Sequence, residues 1–94
     1  MSTKLKRQQE NDAKLAKASL SLQQIADSNI TPRNIRKIVK DSIMMLQDAK
    51  QSVAVRAANA ISLLDEVGQD PNMPSFARVT LWGAVSELES IREQ

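Results

Sequence analysis

Apolar side chains return every three or four positions through four stretches of the chain, and the breaks between those stretches carry turn residues. From Thr3 to Ser28 there is neither Gly nor Pro, and Leu15, Ala18, Leu22 and Ile25 form one stripe, which predicts a helix. Two caps compete for its start: Ser2 or Thr3 at the very beginning, and Asn11 or Asp12 closer to the stripe. The second choice would leave residues 1–10 frayed. Thr31 then offers a capping hydroxyl and Pro32 a residue suited to the first helical position. The helix predicted from there places Ile35, Ile38, Val39, Ile43 and Leu46 inward and Arg36, Lys37, Lys40 and Asp41 outward, and ends near 48–50. A third helix is expected after a Ser52 cap, with Val53, Ala57, Ala60, Ile61, Leu64 and Val67 inside and small residues at 54, 57, 58 and 60 permitting close approach. Gly68 stands where a positive-φ C-terminal cap is expected, and Pro71 opposes resumption. Beyond Asn72-Met73-Pro74 the pattern resumes with Ala77, Leu81, Ala84, Val85, Leu88 and Ile91.

Four helices with short connections predict an all-α, up-and-down four-helix bundle in one domain, residues 1–94, made of hairpins at about 11–50 and 51–94. The hairpins echo each other. Shifted by 42 positions, Ala16 meets Ala58, Ala18 meets Ala60, Leu22 meets Leu64, Pro32 meets Pro74, Arg36 meets Arg78 and Leu46 meets Leu88. That period is close to those of HEAT and armadillo repeats, and residues 52–58, SVAVRAA, look like the start of a HEAT helix. Two hairpins closing on each other are expected over a miniature stack, because a solenoid normally needs three units or more.

Composition narrows the picture. Phe76 and Trp82 are the only aromatics in a chain that is 41% hydrophobic, so the core must be aliphatic and alanine-rich. Two glycines and three prolines are too few for the turns of a sandwich or barrel. With no cysteine and no histidine, disulfides, thiol or Ser-His nucleophiles and the commonest metal ligand are all excluded. Gly68 and Gly83 alone cannot make a phosphate-cradling loop. The carboxylates Asp65, Glu66, Asp70, Glu87 and Glu89 read as a solvated acidic face rather than a Mg²⁺ site. No catalytic residue, metal or cofactor is therefore expected, and the protein is predicted not to be an enzyme. The longest apolar run, residues 43–46, is far short of a membrane span, which predicts a soluble cytoplasmic protein.

Charge is uneven. Residues 1–50 hold ten Lys/Arg against five Asp/Glu, a balance of +5, and residues 51–94 hold three against six, a balance of −3. Asp65 and Glu66 fall in the last turn of the third helix, where the helix dipole disfavours them. Arg36 and Arg78 are expected to tie the hairpin corners to these two acids. The other reading of the same cations is an anion site made of Arg33, Arg36, Lys37 and Arg78. Extended over Lys40, Lys4, Lys6, Arg7, Lys14 and Lys17, it becomes a nucleic-acid surface, though one without aromatics to stack on bases.

Phe76, Val79 and Trp82 do not fit the fourth helix's apolar stripe. One reading has Phe76 plugging the bundle under the Met73-Pro74 loop and Trp82 straddling the boundary with the first helix. The other makes the three an interface, extended by Met44, Val55 or Leu63, with a homodimer as the simplest partner.

The stretch LLDEVGQDPNMP, followed by Ala77-Arg78 and Leu81-Trp82, resembles a small uncharacterised family of archaeal proteins. With ITPRNIR the resemblance runs from about residue 22 to 91. It implies a four-helix, archaeal, cytoplasmic protein with no established activity, substrate or cofactor, so it transfers no functional residues. The expected role is a non-enzymatic protein-interaction or assembly module that self-associates through Phe76, Val79 and Trp82. The alternative is a nucleic-acid or ribonucleoprotein accessory factor using the basic N-terminal half.

Overall fold

A computed structural model describes residues 3–92, which form four helices: α1 Thr3–Ala26, α2 Arg33–Leu46, α3 Val53–Val67 and α4 Ser75–Glu89. The helix begins at Thr3, so residues 3–10 are helical rather than frayed, and Asn11 and Asp12 are interior to α1 rather than caps. Ser2, the other cap considered, lies outside the described residues. Asn11 has a different task. Only 1% exposed, it donates from Nδ2 to the Arg92 carbonyl at 2.6 Å and accepts the Arg92 N–H at 3.3 Å. That clamp fixes α1 against the residues that follow α4.

One core draws on all four helices. Leu22 and Ile25 of α1, Ile35 and Val39 of α2, Leu64 of α3, and Leu81 and Leu88 of α4 are essentially fully buried, with Ala18, Ala60, Ala77 and Ala84 between them. Alanine at these contacts lets the helices approach closely, and Leu, Ile and Val fill the remaining volume. The most extensive packing is α1 on α4 and α2 on α3, followed by α1 on α2, while the α3/α4 seam is the thinnest. In a stack of hairpins the first and fourth helices would lie farthest apart. Here they are among the best-packed neighbours, so the two hairpins close into a bundle and the miniature solenoid is excluded. The 24 residues of α1 against 14 or 15 in the other helices give a molecule 45 × 22 × 19 Å, with the start of α1 reaching past the end of α4.

All three corners are built alike. Each loop closes a turn in which a backbone N–H reaches back three residues: Thr31 to Ser28, Gln51 to Asp48, and Met73 to Asp70. The next residue, Pro32, Ser52 or Pro74, is the N-cap, and its carbonyl accepts the N–H of Arg36, Arg56 or Arg78 at 3.0, 2.9 and 3.0 Å. Ser52 caps α3 as expected, its Oγ accepting the Val55 N–H at 3.3 Å. Thr31 does not cap α2. Pro32 occupies the cap position instead of the first helical one, which leaves the Thr31 hydroxyl one residue early, 2% exposed and without a partner.

Two further expectations fail for local reasons. α2 ends at Leu46, a little before 48–50, because the Gln47 N–H already turns to the Met44 carbonyl and the Asp48 N–H to that of Met45. Gly68 has φ −65, in the right-handed helical region, and continues the ladder with a 2.8 Å bond to the Leu64 carbonyl. Glycine spares a tight contact there: an added Cβ would sit 3.1 Å from the Leu64 carbonyl oxygen.

Candidate functional site

The outer face of α4 holds the residues picked as an interface. Phe76, Val79 and Trp82 are 41%, 67% and 58% exposed. At 100° per residue, Val79 stands opposite the centre of the buried face, with Phe76 and Trp82 about 60° to either side. The same arc contains Ser75, Gly83, Ser86 and Ser90, all exposed. No charged residue falls within it, in a chain of which 26% is charged. Gly83 is in the interior of the helix, and a Cβ added to it would meet nothing within 4 Å, so no contact among the described residues requires a glycine there. The serines and Gly83 escaped the sequence reading, which looked for large apolar groups; the signal was an uncharged arc on a helix whose opposite side was already assigned to the core.

Phe76 is not the plug expected under the loop. Met73, 5% exposed and part of the core, fills that place. Trp82 does not straddle the boundary with α1: it faces α3, where with Leu64, Asp65, Gly68, Gln69 and Leu81 it lines a cavity of about 310 Å³. The thin α3/α4 seam leaves that opening. Met44 and Val55 are exposed on α2 and α3 and Leu63 is half-buried on α3, so the face on α4 is complete without them.

A second surface runs along α2. Arg33, Asn34, Arg36, Lys37 and Lys40 line a groove of about 670 Å³. Three of the four residues proposed for an anion site therefore meet, joined by Asn34 and Lys40. Arg78 does not line it, and its guanidinium donates to the Asp70 carbonyl at 3.0 Å. Arg56, which the sequence reading overlooked, does the same at the middle corner, donating from Nε to the Gln51 carbonyl at 3.1 Å and from Nη1 to the Leu46 carbonyl at 3.3 Å. Its signal was its place four residues after the N-cap, shared with Arg36 and Arg78. Arg36 has no such bond, and its Nε is buried without a partner. Among the described residues, neither Arg36 nor Arg78 forms an ion pair with Asp65 or Glu66, contrary to expectation; both acids point to solvent, and Arg78 is taken by a backbone carbonyl.

Part of the basic N-terminal half is engaged within the chain. Lys14 donates to the Ser90 carbonyl at 2.8 Å and Lys17 pairs with Glu87 at 3.0 Å, placing two cations at the C-terminal end of α4, where the dipole favours them. Among the described residues no three carboxylates converge on a possible metal position, and no helix is long and apolar enough to cross a membrane.

A small all-α bundle of this kind has counterparts among archaeal proteins. The chain belongs to the uncharacterised protein family UPF0147, whose model matches residues 1–91. A UPF0147 protein of Metallosphaera sedula is 50% identical over 84 residues, covering 89% of this chain and 94% of that protein. One from Aeropyrum pernix is 44% identical, covering 89% and 92%. The fold is similar to the crystal structure of the unknown function protein MMP1188, with TM-score 0.82, 41% identity and coverage of 85% of this chain and 91% of that one. It is also similar to that of a UPF0147 protein from Thermoplasma acidophilum, with TM-score 0.83, 28% identity and coverage of 89% and 99%. The family resemblance and the all-α bundle expected from the sequence both stand, and the family has no characterised function.

Proposed function

We propose that this protein is a small non-enzymatic assembly module whose α4 outer face docks onto the same face of a second copy. The observation that carries this reading is Gly83. A glycine in a helix interior costs about 1 kcal/mol relative to alanine, and no contact among the described residues compensates for it. A partner helix does. In an antiparallel pair related by a two-fold axis near Val79 and Thr80, residue 76 of each copy faces residue 83 of the other. The exposed ring of Phe76 then enters the space that Gly83 leaves open, twice, which is the self-complementarity a two-fold interface requires. The absence of charge across the arc removes the desolvation cost that usually opposes burial of a solvent-facing helix. Trp82 supplies an aromatic anchor at the edge.

A single helix face about 22 Å long is small for a stable interface, so association in the micromolar range is expected. Light scattering behind size-exclusion chromatography over a concentration series tests this. The wild-type chain should pass from monomer to dimer, and Gly83→Leu should remain monomeric with unchanged helical circular dichroism. A wild-type chain that stays monomeric at high micromolar concentration, or a Gly83→Leu variant that dimerises equally well, defeats the proposal.

A further inference from the structure

We propose that the groove along α2 binds a ligand carrying consecutive phosphate groups, held by Arg33, Arg36, Lys37 and Lys40. The first observation is an excess of unanswered charge. Arg33 and Lys37, and Arg36 and Lys40, are four residues apart; Arg33 and Arg36, and Lys37 and Lys40, are three apart. All four pairs are like-charged neighbours on one helix surface, an arrangement that repels itself. Among the described residues the relief is slight: Lys37 reaches Asp41 at 3.5 Å, and no hydrogen bond or ion pair engages the side chains of Arg33, Arg36 or Lys40. A bound polyanion relieves all four repulsions together.

The second observation comes from the corners. Arg56 and Arg78 spend their guanidinium groups on backbone carbonyls, whereas Arg36, at the same position four residues after its cap, lines the groove with Nε buried and unpartnered. A guanidinium donates in a planar fork that suits a phosphate oxygen pair. The start of α2 adds to this, since no side chain caps it and its first N–H groups face the same end of the helix. Two carboxylates oppose it: Asp41, 3.5 Å from the Lys37 ammonium, and Asp70, whose Oδ2 receives a long 3.4 Å bond from Asn34 at the rim. Four cations outweigh them. From residue 33 to residue 40 the row spans about 10 Å, too long for a single phosphate to occupy. The inference is independent of self-association, which uses a different helix.

A polyphosphorylated small molecule and a nucleic-acid strand both present this chemistry, and one experiment separates them. The full chain, labelled with ¹⁵N, is titrated with tripolyphosphate and, separately, with a short single-stranded RNA. Amide resonances of residues 33–40 should move with at least one of them, and affinity should fall steeply with added salt. Arg33→Ala with Lys37→Ala should weaken binding by about tenfold or more, while Lys4→Ala with Lys6→Ala on the start of α1 should leave it nearly unchanged. Response to tripolyphosphate alone identifies a soluble polyphosphorylated ligand, and much tighter RNA binding identifies a strand; either supports the site. If neither ligand moves these resonances, or if the loss follows Lys4 and Lys6 instead, the proposal is overturned.

Discussion

The corner between α1 and α2 and the corner between α3 and α4 share a proline, a turn and an arginine, yet they are completed differently. Between α3 and α4, Met73 enters the core and Arg78 bonds the Asp70 carbonyl. Between α1 and α2, the equivalent places hold Thr31, buried with an unpartnered hydroxyl, and Arg36, whose Nε has no acceptor. The first corner is finished by its own chain. The second keeps polar groups that a core or a hairpin has no use for, beside a groove lined by four cations. A repeated hairpin thus carries the same local frame twice and completes it with its own backbone carbonyl in one copy, leaving the Arg36 side chain of the other without such a bond.

Four substitutions would break or sharpen this contrast, all readable by chemical denaturation. The largest loss is expected from Met73→Ala, which empties a core position and should cost about 2–5 kcal/mol. Next comes Arg56→Met. It keeps the aliphatic stem but abandons two backbone carbonyls, one of them at the end of α2, for a loss of about 1–2 kcal/mol. Thr31→Val should move in the opposite direction, gaining about 1 kcal/mol by removing a buried hydroxyl that bonds nothing. Arg36→Met is expected to change stability least, within about 0.5 kcal/mol. Equal losses for Arg36→Met and Arg56→Met would mean that Arg36 is as structural as Arg56 and would remove one support of the anion site.

Much of the fold was readable in the pattern of the chain. A period near 3.6 interrupted at Pro32, Ser52 and Pro74 located the helices, because each must turn one apolar stripe inward. The same period gave the core positions Leu22, Ile35, Val39, Leu64, Leu81 and Leu88, all of them buried. Sites were less readable. Arg36 and Arg78 looked equivalent, and Asp65 and Glu66 looked like their partners, because spacing reports a residue's face but not the carbonyl within reach of its side chain. Trp82 was placed toward α1 although it faces α3, since helical phase leaves open which neighbour stands on which side. Lys14 and Lys17 counted toward a basic surface until α4 proved to end beside them.

By itself the sequence determined the all-α class, the four helices, their inward faces and the lack of histidine and cysteine chemistry, all consequences of residue type and short-range periodicity. Only the tertiary structure decided that the hairpins close into a ring, that Trp82 borders the α3/α4 seam, that Gly83 lies in an uncharged arc with nothing against it, and that one corner arginine in three has no acceptor. Those outcomes depend on which distant backbone and side-chain groups come within a few ångströms of one another, and that distance is set by how whole helices pack, not by the spacing of residues along any one of them.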